Sequence, residues 1–295
     1  MAKEKQNQSN KIISDLKAIW KLIISIWLAV IFIVFLILLV SQRYIFFHPW
    51  NDVSSYEQLK TISDFEEVNI INDGKNLNWW MYYNNPKWEK SPLVIYFGGN
   101  AQNSSNTVSH FLNQWIFDYF EWYNVLMMDY PGYGYSEWKI GEKAMFNAAL
   151  AIYEWATSQP DIDENNIIIM GYSIWTWVAT YCASKNNVKW LILIAPYDRA
   201  LSLYNNAINI FHWPVKLLAK YKFDSLSYSE NIDTKVQVVT SYDDEVISYK
   251  FSQNLSDNFK NHNDIVILDN NVMHSDYFSQ SKVLETIKAY LSEKL

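Results

Sequence analysis

Three side chains have the types and spacing that nucleophilic acyl transfer requires: Ser173, Asp244 and His274. A serine hydroxyl is a weak nucleophile, and it attacks a carbonyl only when a neighbouring base takes its proton. Histidine is the usual base, and a carboxylate that holds the imidazole in one tautomer completes the set. We therefore predict Ser173 as the nucleophile, His274 as the base and Asp244 as the orienting acid, with Asp243 as the alternative acid.

The sequence around each residue predicts the element that positions it. Ser173 follows an apolar run, 167–170, and precedes a predicted helix over 174–185. Such a serine lies on a sharp strand-to-helix turn that presents its hydroxyl at the top of a sheet. Asp244 and His274 each follow a later predicted strand. The order serine, aspartate, histidine, each at the carboxyl end of a strand, is that of the α/β-hydrolase fold.

The rest of the chain agrees with this fold class. Beyond residue 60, short apolar runs alternate with segments of helical period, which is typical of a mainly parallel sheet flanked by helices. The predicted strands are Glu67–Ile71, Leu77–Tyr83, Leu93–Phe97, Asn124–Asp129, Ile167–Met170, Leu191–Ile194, Val236–Thr240 and Ile265–Leu268. The aromatic stretch 197–233 interrupts the alternation, and we predict that it is a small helical cap inserted into the hydrolase domain.

Each of the three residues also has an ordinary structural interpretation. A serine at a helix start is usually an N-cap, and adjacent aspartates often belong to turns. A histidine after a strand is commonly a hydrogen-bond donor in a loop. The catalytic prediction depends on finding all three in the right order and context.

Six blocks of the chain together resemble the Bem46-type α/β hydrolases, a group of membrane-anchored serine hydrolases. They are VIYFGGNAQN (94–103), DYPGYGYS (129–136), GYSI (171–174), IAPYD (194–198), KFDS (222–225) and DDEV (243–246). The resemblance implies that the turn 98–100 lines the active site, with the backbone N–H groups of Asn100 and Ile174 as the oxyanion hole. It also implies the cap, and it favours Asp244 over Asp243.

The N-terminal part of the chain predicts a membrane anchor. Residues 22–40 form an uncharged apolar run, which as a helix is close to the ~30 Å thickness of a bilayer core. The alternatives are a buried core helix or a cleaved signal peptide. The basic residues 1–21 are expected to stay cytoplasmic, which would place the hydrolase domain, 41–295, outside the cytoplasm.

Composition limits the partners and cofactors. The formal net charge is −7 and there is no basic stripe, so we expect no nucleic-acid partner. No cysteine–histidine cluster has the spacing of a zinc site, and the predicted reaction requires neither a metal nor an organic cofactor. The expected substrate is a small or lipid-like acyl compound, whose identity the sequence does not determine.

The tryptophans depart from the family pattern. The chain has 14 Trp but only 7 Gly, whereas average usage would give about 20 Gly. Tryptophan stands where the resemblance predicts a small residue at seven positions: Trp79, Trp88, Trp122, Trp138, Trp175, Trp177 and Trp190. Our hypothesis is that UGA codons read as glycine were written as tryptophan. The alternative is a catalytically silent, membrane-attached scaffold, because Trp175 would overpack the turn behind Ser173.

Overall fold

A computed structural model describes residues 2–207, 209–262, 264–269 and 271–292. In this part of the chain a single eight-stranded sheet has the order β1-β2-β4-β3-β5-β6-β7-β8. The strands are β1 (Phe65–Asn72), β2 (Lys75–Tyr82), β3 (Ser91–Phe97), β4 (Asn124–Met128), β5 (Ile162–Tyr172), β6 (Trp190–Ile194), β7 (Lys235–Ser241) and β8 (Val266–Leu268).

The sheet is antiparallel at one edge and parallel over the rest. β2 pairs antiparallel with both β1 and β4. Every other pair of neighbouring strands is parallel, in the order β4, β3, β5, β6, β7 and β8. In the middle of the sheet, Ile95 of β3 pairs with Leu126 of β4 and Ile169 of β5. β3, β4 and β6 are buried along their whole length, which explains their continuous apolar sequences. All eight predicted strands are present.

Helices cover both faces of the sheet. The described α-helices after residue 46 are α2 (Val53–Leu59), α3 (Ser104–Asn113), α4 (Glu142–Ser158), α5 (Thr176–Lys185), α6 (Ala200–Ala207), α7 (Ser225–Ser229), α8 (Tyr249–Ser256) and α9 (Ser281–Ser292). One core cluster includes Ile95 and Trp177, and a second on the opposite face includes Tyr96 and Leu284. The alternation of β3 side chains between these two clusters is the expected pleat of a strand with two covered faces.

The N-terminal helix α1 (Ala2–Phe46) is longer than the predicted anchor, 22–40. Neither glycine nor proline interrupts residues 2–46, so the helix continues through the basic flank and past the apolar run. Its segment Asn10–Phe46 is long and apolar enough to cross a membrane, and none of its most apolar window is buried against the protein. Large apolar side chains such as Trp27 and Phe32 are exposed on it.

The predicted cap segment, 197–233, lies between β6 and β7 and includes Ile208, which is outside the described residues. It contains α6, a 3₁₀ turn at Val215–Leu218, and α7. Pro214 precedes this turn, and its fixed φ suits the start of a short helix. The role of the segment as a cap stays a prediction.

Candidate active site

Ser173 lies on a tight turn between β5 and α5. Its φ is +57°, a left-handed conformation that costs a non-glycine residue about 1–2 kcal/mol. A Cβ added at Gly171 would lie 2.6 Å from the Ala179 Cβ, so only glycine permits β5 and α5 to approach this closely. A strained serine beside a close strand–helix contact is the geometry of a nucleophile elbow.

The structure brings the three predicted catalytic residues together. The Ser173 Oγ lies 2.6 Å from His274 Nε2, and His274 Nδ1 lies 2.8 Å from Asp244 Oδ2. Ser173 is only 5% exposed, and the Asp244 carboxylate is fully buried. With its proton on Nδ1, the imidazole donates to Asp244 and presents a free Nε2 lone pair to the Ser173 hydroxyl.

Backbone hydrogen bonds fix the Asp244 carboxylate and distinguish it from Asp243. Asp244 Oδ1 accepts from the N–H groups of Val246 (2.9 Å) and Ile247 (2.7 Å). Asp243 instead accepts from the Asn271 N–H at 3.0 Å, at an exposed position. Of the two neighbouring acids, Asp244 contacts the imidazole.

Sequence analysis missed three residues that hold this set in place. The Tyr277 hydroxyl donates to Asp244 Oδ2 at 2.9 Å, and burial together with the Asp244 charge raises the pKa of Tyr277 well above its usual value. The Tyr172 hydroxyl donates to the His274 carbonyl, and Glu245 accepts from the His274 N–H at 2.9 Å. Tyr172 directly precedes Ser173, and Glu245 directly follows Asp244. Their positions beside predicted catalytic residues could have identified them in the sequence. No feature of the sequence identified Tyr277, which lies three residues after His274.

A cavity of about 620 Å³ opens above Ser173. Asn100 and Ile174, whose backbone N–H groups the resemblance implies as oxyanion donors, both line this cavity together with His274. The Tyr130 hydroxyl donates to the Gly98 carbonyl at 3.0 Å and so supports the loop that carries Asn100. Asn103 ends that loop and caps α3 by accepting from the Asn106 N–H at 2.8 Å.

A buried carboxylate, Asp129, supports the same loop by hydrogen bonds to Ser104, the residue that follows it. It is fully buried and accepts from the backbone N–H and the hydroxyl of Ser104, at 2.6 and 2.7 Å, and from the Tyr135 N–H at 2.9 Å. Burial raises the pKa of Asp129 to about 6, because its hydrogen bonds only partly replace lost hydration. Its contacts are structural, and it does not line the cavity.

Trp175 and Trp177 are both fully buried behind the elbow, and their overpacking of the turn stays a prediction. The Trp175 ring stacks on Tyr130 with centroids 3.9 Å apart, and Trp177 stacks on Phe223 at 4.5 Å. Each indole N–H is also buried without an acceptor among the described residues. A buried donor left without a partner costs about 1–3 kcal/mol.

Four of the other five unexpected tryptophans also occupy unfavourable positions. The indole N–H groups of Trp79 and Trp190 are buried without a described acceptor. Trp122 and Trp138 have φ of +66° and +101°, a region that favours glycine. Trp88 is 84% exposed. By contrast, Trp80 is not one of the seven positions, and its indole N–H donates to the Ser105 hydroxyl at 2.9 Å.

The sheet, the helices on both its faces and the serine at the strand-to-helix turn define the α/β-hydrolase fold, and this chain has that fold. Solved structures with the same fold include the esterase Pf2001 of Pyrococcus furiosus, with a TM-score of 0.62 and 15% identity, covering 83% of this chain and 96% of that one. Another is Est1E of Butyrivibrio proteoclasticus with bound ferulic acid, with a TM-score of 0.61 and 20% identity, covering 77% of this chain and 98% of that one.

Sequence comparison gives further relatives. No protein-family model matches the chain. It is similar to the uncharacterized protein Rv2307c of Mycobacterium tuberculosis, with 24% identity over 188 residues, which are 62% of this chain and 63% of that protein. It is also similar to Protein ABHD12B of Homo sapiens, with 22% identity over 243 residues, which are 75% of this chain and 65% of that protein. The chain thus spans less than two thirds of the length of these relatives, and the Bem46-type resemblance stays a prediction.

Proposed function

We propose that the protein is a serine hydrolase that cleaves acyl esters or thioesters through an acyl-serine intermediate. The observation that carries the proposal is the continuous chain of short contacts from Ser173 Oγ through the His274 imidazole to Asp244. The strained backbone of Ser173 also supports the proposal, because strained residues occur mainly at functional sites, where the surrounding structure holds them in place. The esterases with the same fold support the same reaction class.

In the first step the Ser173 Oγ attacks the acyl carbonyl carbon while His274 Nε2 takes the hydroxyl proton. The carbonyl oxygen becomes an oxyanion, for which we propose the backbone N–H groups of Asn100 and Ile174 as donors. Preorganised donors of this kind usually lower a barrier by several kcal/mol, about 2.7–4 for a single donor. When the intermediate collapses, the imidazolium gives its proton to the departing alcohol or thiol.

In the second step water attacks the acyl-serine carbonyl, and His274 takes a proton from that water. Release of the acid returns the proton to Ser173, so the cycle is balanced without any metal or cofactor. Asp244 keeps the imidazole in the required tautomer throughout and stabilises its positive charge. Tyr277 and the N–H groups of Val246 and Ile247 hold this carboxylate in position through three hydrogen bonds.

We further propose that α1 anchors the enzyme in a membrane, with its basic N-terminus in the cytoplasm and the hydrolase domain on the other side. The unburied apolar surface of α1 supports membrane insertion. An anchored hydrolase with a partly apolar cavity favours a lipid-like or other small acyl substrate.

A second candidate is a membrane-attached scaffold that has lost its activity, and the unpartnered indoles of Trp175 and Trp177 behind the elbow favour it. A fluorophosphonate probe separates the two functions, because it reacts only with an activated serine. We expect the full chain in detergent to be labelled and the Ser173→Ala variant to remain unlabelled. Ser184→Ala, at a helix position outside the cavity, is the matched control and is expected to label like the parent. Equal labelling of parent and Ser173→Ala would refute the proposal.

A further inference from the structure

The end of the membrane helix and the residues after it reach into the active site. We call residues 42–50 the juxtamembrane segment. Ile45 and Phe46 line the same cavity as Ser173 and His274. The segment also contacts the predicted cap on one side and the loop 98–103, which carries Asn100, on the other.

Gln42 connects α1 to the predicted cap. Its side chain lies on the membrane helix, yet the residue is only 1% exposed. The amide nitrogen donates to the Leu218 carbonyl at 2.9 Å, and the amide oxygen accepts from the Tyr204 hydroxyl at 2.5 Å and the Lys220 N–H at 2.6 Å. With a further bond from the amide nitrogen to the Leu38 carbonyl, the buried amide uses its full hydrogen-bonding capacity. Such a satisfied polar group fixes one arrangement of helix and cap.

His48 and the buried Tyr133 hold Asn100 in a closed ring of three hydrogen bonds. The backbone N–H of His48 donates to the Tyr133 hydroxyl at 2.9 Å, and that hydroxyl donates to Asn100 Oδ1 at 3.1 Å. Because Asn100 Oδ1 is the acceptor, its Nδ2 is the donor to His48 Nδ1, at 2.7 Å. His48 therefore acts here through its unprotonated Nδ1.

Trp50 adds two contacts to the same loop. Its indole N–H donates to the Ala101 carbonyl, and its own carbonyl accepts from the Asn103 side chain at 3.4 Å. Ala101 has φ of +56°, a conformation that a non-glycine residue adopts only with support from its surroundings. The juxtamembrane segment provides that support from outside the loop.

We propose that the juxtamembrane segment is a positioning element of the active site, in which His48 orients Asn100 and Gln42 fixes the predicted cap. This proposal rests on the proposed function, because it assigns the Asn100 backbone N–H to the oxyanion. It goes further in making the membrane helix part of the catalytic unit. The cavity then opens beside the end of α1, so a substrate held in the membrane surface reaches Ser173 without leaving that surface.

The test uses the full chain in detergent micelles, a short p-nitrophenyl ester, and three histidine variants. In His48→Leu the ring is broken, and we expect kcat to fall by about 10-fold or more with KM changed less than about twofold, because a small displacement of a catalytic group has effects of this size. His48→Asn keeps an acceptor oxygen near the position of Nδ1, and we expect it to recover most of kcat. His212→Leu is the control, since the His212 side chain is exposed, hydrogen-bonds only to Asn209 among the described residues, and does not line the cavity.

A loss of packing alone would not be reversed by asparagine, so recovery separates positioning from a structural role. Should His48→Leu fail to fold, Tyr133→Phe removes two bonds of the same ring and is expected to lower kcat similarly. Parental kcat in a folded His48→Leu or Tyr133→Phe variant, with Ser173→Ala inactive, would overturn this inference and leave the proposed function intact. Parental activity in Ser173→Ala would instead overturn the proposed function.

Discussion

The Tyr277 hydroxyl lies 2.9 Å from Asp244 Oδ2, the same oxygen that faces His274 Nδ1 at 2.8 Å. Tyr277 is fully buried, and its raised pKa keeps it a hydrogen-bond donor at any physiological pH. The hydrogen bond that it donates holds the carboxylate oriented toward the imidazole. The relationship places Tyr277 as a positioning residue behind the proposed catalytic set.

Replacing Tyr277 by phenylalanine removes this hydrogen bond and keeps the ring. A hydrogen bond to a charged group contributes about 1.5–3 kcal/mol, so we expect kcat/KM for a p-nitrophenyl ester to fall by about 10- to 100-fold. Tyr153→Phe is the matched control, because the Tyr153 hydroxyl bonds to the Asn187 carbonyl away from the cavity. A Tyr277→Phe variant as active as the control would contradict the assigned role.

The two neighbouring acids give a direct test of the Asp244 assignment. Asp244→Asn removes control of the imidazole tautomer, and we expect kcat to fall by about 10⁴-fold, as in other serine hydrolases. Asp243→Asn changes a side chain that contacts only the Asn271 N–H in the described structure, and we expect activity within about threefold of the parent. The assignment is wrong if the two variants show the reverse order.

Asp129 predicts a specific pH dependence of stability. Its pKa is about 6 in the folded chain and 3.8 in the reference state, so the folded protein binds the proton more tightly. Its contribution to the free energy of unfolding is therefore greatest below pH 3.8 and falls by up to about 1.4 kcal/mol per pH unit as the pH rises to 6. Above that pH it is constant.

Urea unfolding of the parent and Asp129→Asn in detergent, from pH 5 to 7.5, measures this contribution. The difference in unfolding free energy between the two proteins is expected to shift against the parent by about 1.4 kcal/mol across this range, mostly below pH 6.5. A difference that does not change with pH would show that the buried carboxyl is ionised throughout.

Membrane topology is tested with single cysteines in a Cys182→Ala background. Ser14→Cys lies in the basic flank of α1, and Ser63→Cys lies on the exposed surface of the hydrolase domain. An impermeant maleimide is expected to label Ser63→Cys in intact cells and Ser14→Cys only after lysis. The opposite pattern would place the hydrolase domain in the cytoplasm.

The hypothesis on glycine codons predicts the nucleotide sequence. Codons 79, 88, 122, 138, 175, 177 and 190 are expected to be UGA, whereas codons 80 and 155 are expected to be UGG. The structure adds Trp115, which is 73% exposed with φ of +57°, as an eighth UGA codon. UGG at these positions would refute the hypothesis and favour the silent scaffold.

Protein stability provides an independent check. Trp122→Gly and Trp138→Gly each relieve a left-handed conformation, so we expect each to raise the free energy of unfolding by about 1 kcal/mol. Trp80→Gly is the control, and it is expected to destabilise the protein by about 3–5 kcal/mol or more, because it empties a well-packed site and leaves the Ser105 hydroxyl without its donor. A chain with glycine at all seven predicted positions is expected to react with the fluorophosphonate probe faster than the chain as written.

The sequence alone determined the fold class and the order of the proposed catalytic residues. Continuous apolar strands and the strand-to-helix turn at Ser173 are local patterns, and eight strands were found where these patterns predicted them. The ends of helices were predicted less accurately. Helix α1 extends beyond the predicted anchor at both ends, because no glycine or proline in residues 2–46 marks an end of the helix.

Only the tertiary structure decided which groups touch across long separations in the chain. It brought Asp244 and not Asp243 to His274, because a carboxylate that follows a strand turns toward or away from the cleft according to which backbone N–H groups it accepts. It also placed Tyr277 behind Asp244 and His48 beside Asn100, contacts that no spacing rule encodes. Sequence periodicity reports which face of an element is buried, whereas hydrogen-bond partners depend on the packing of elements far apart in the chain.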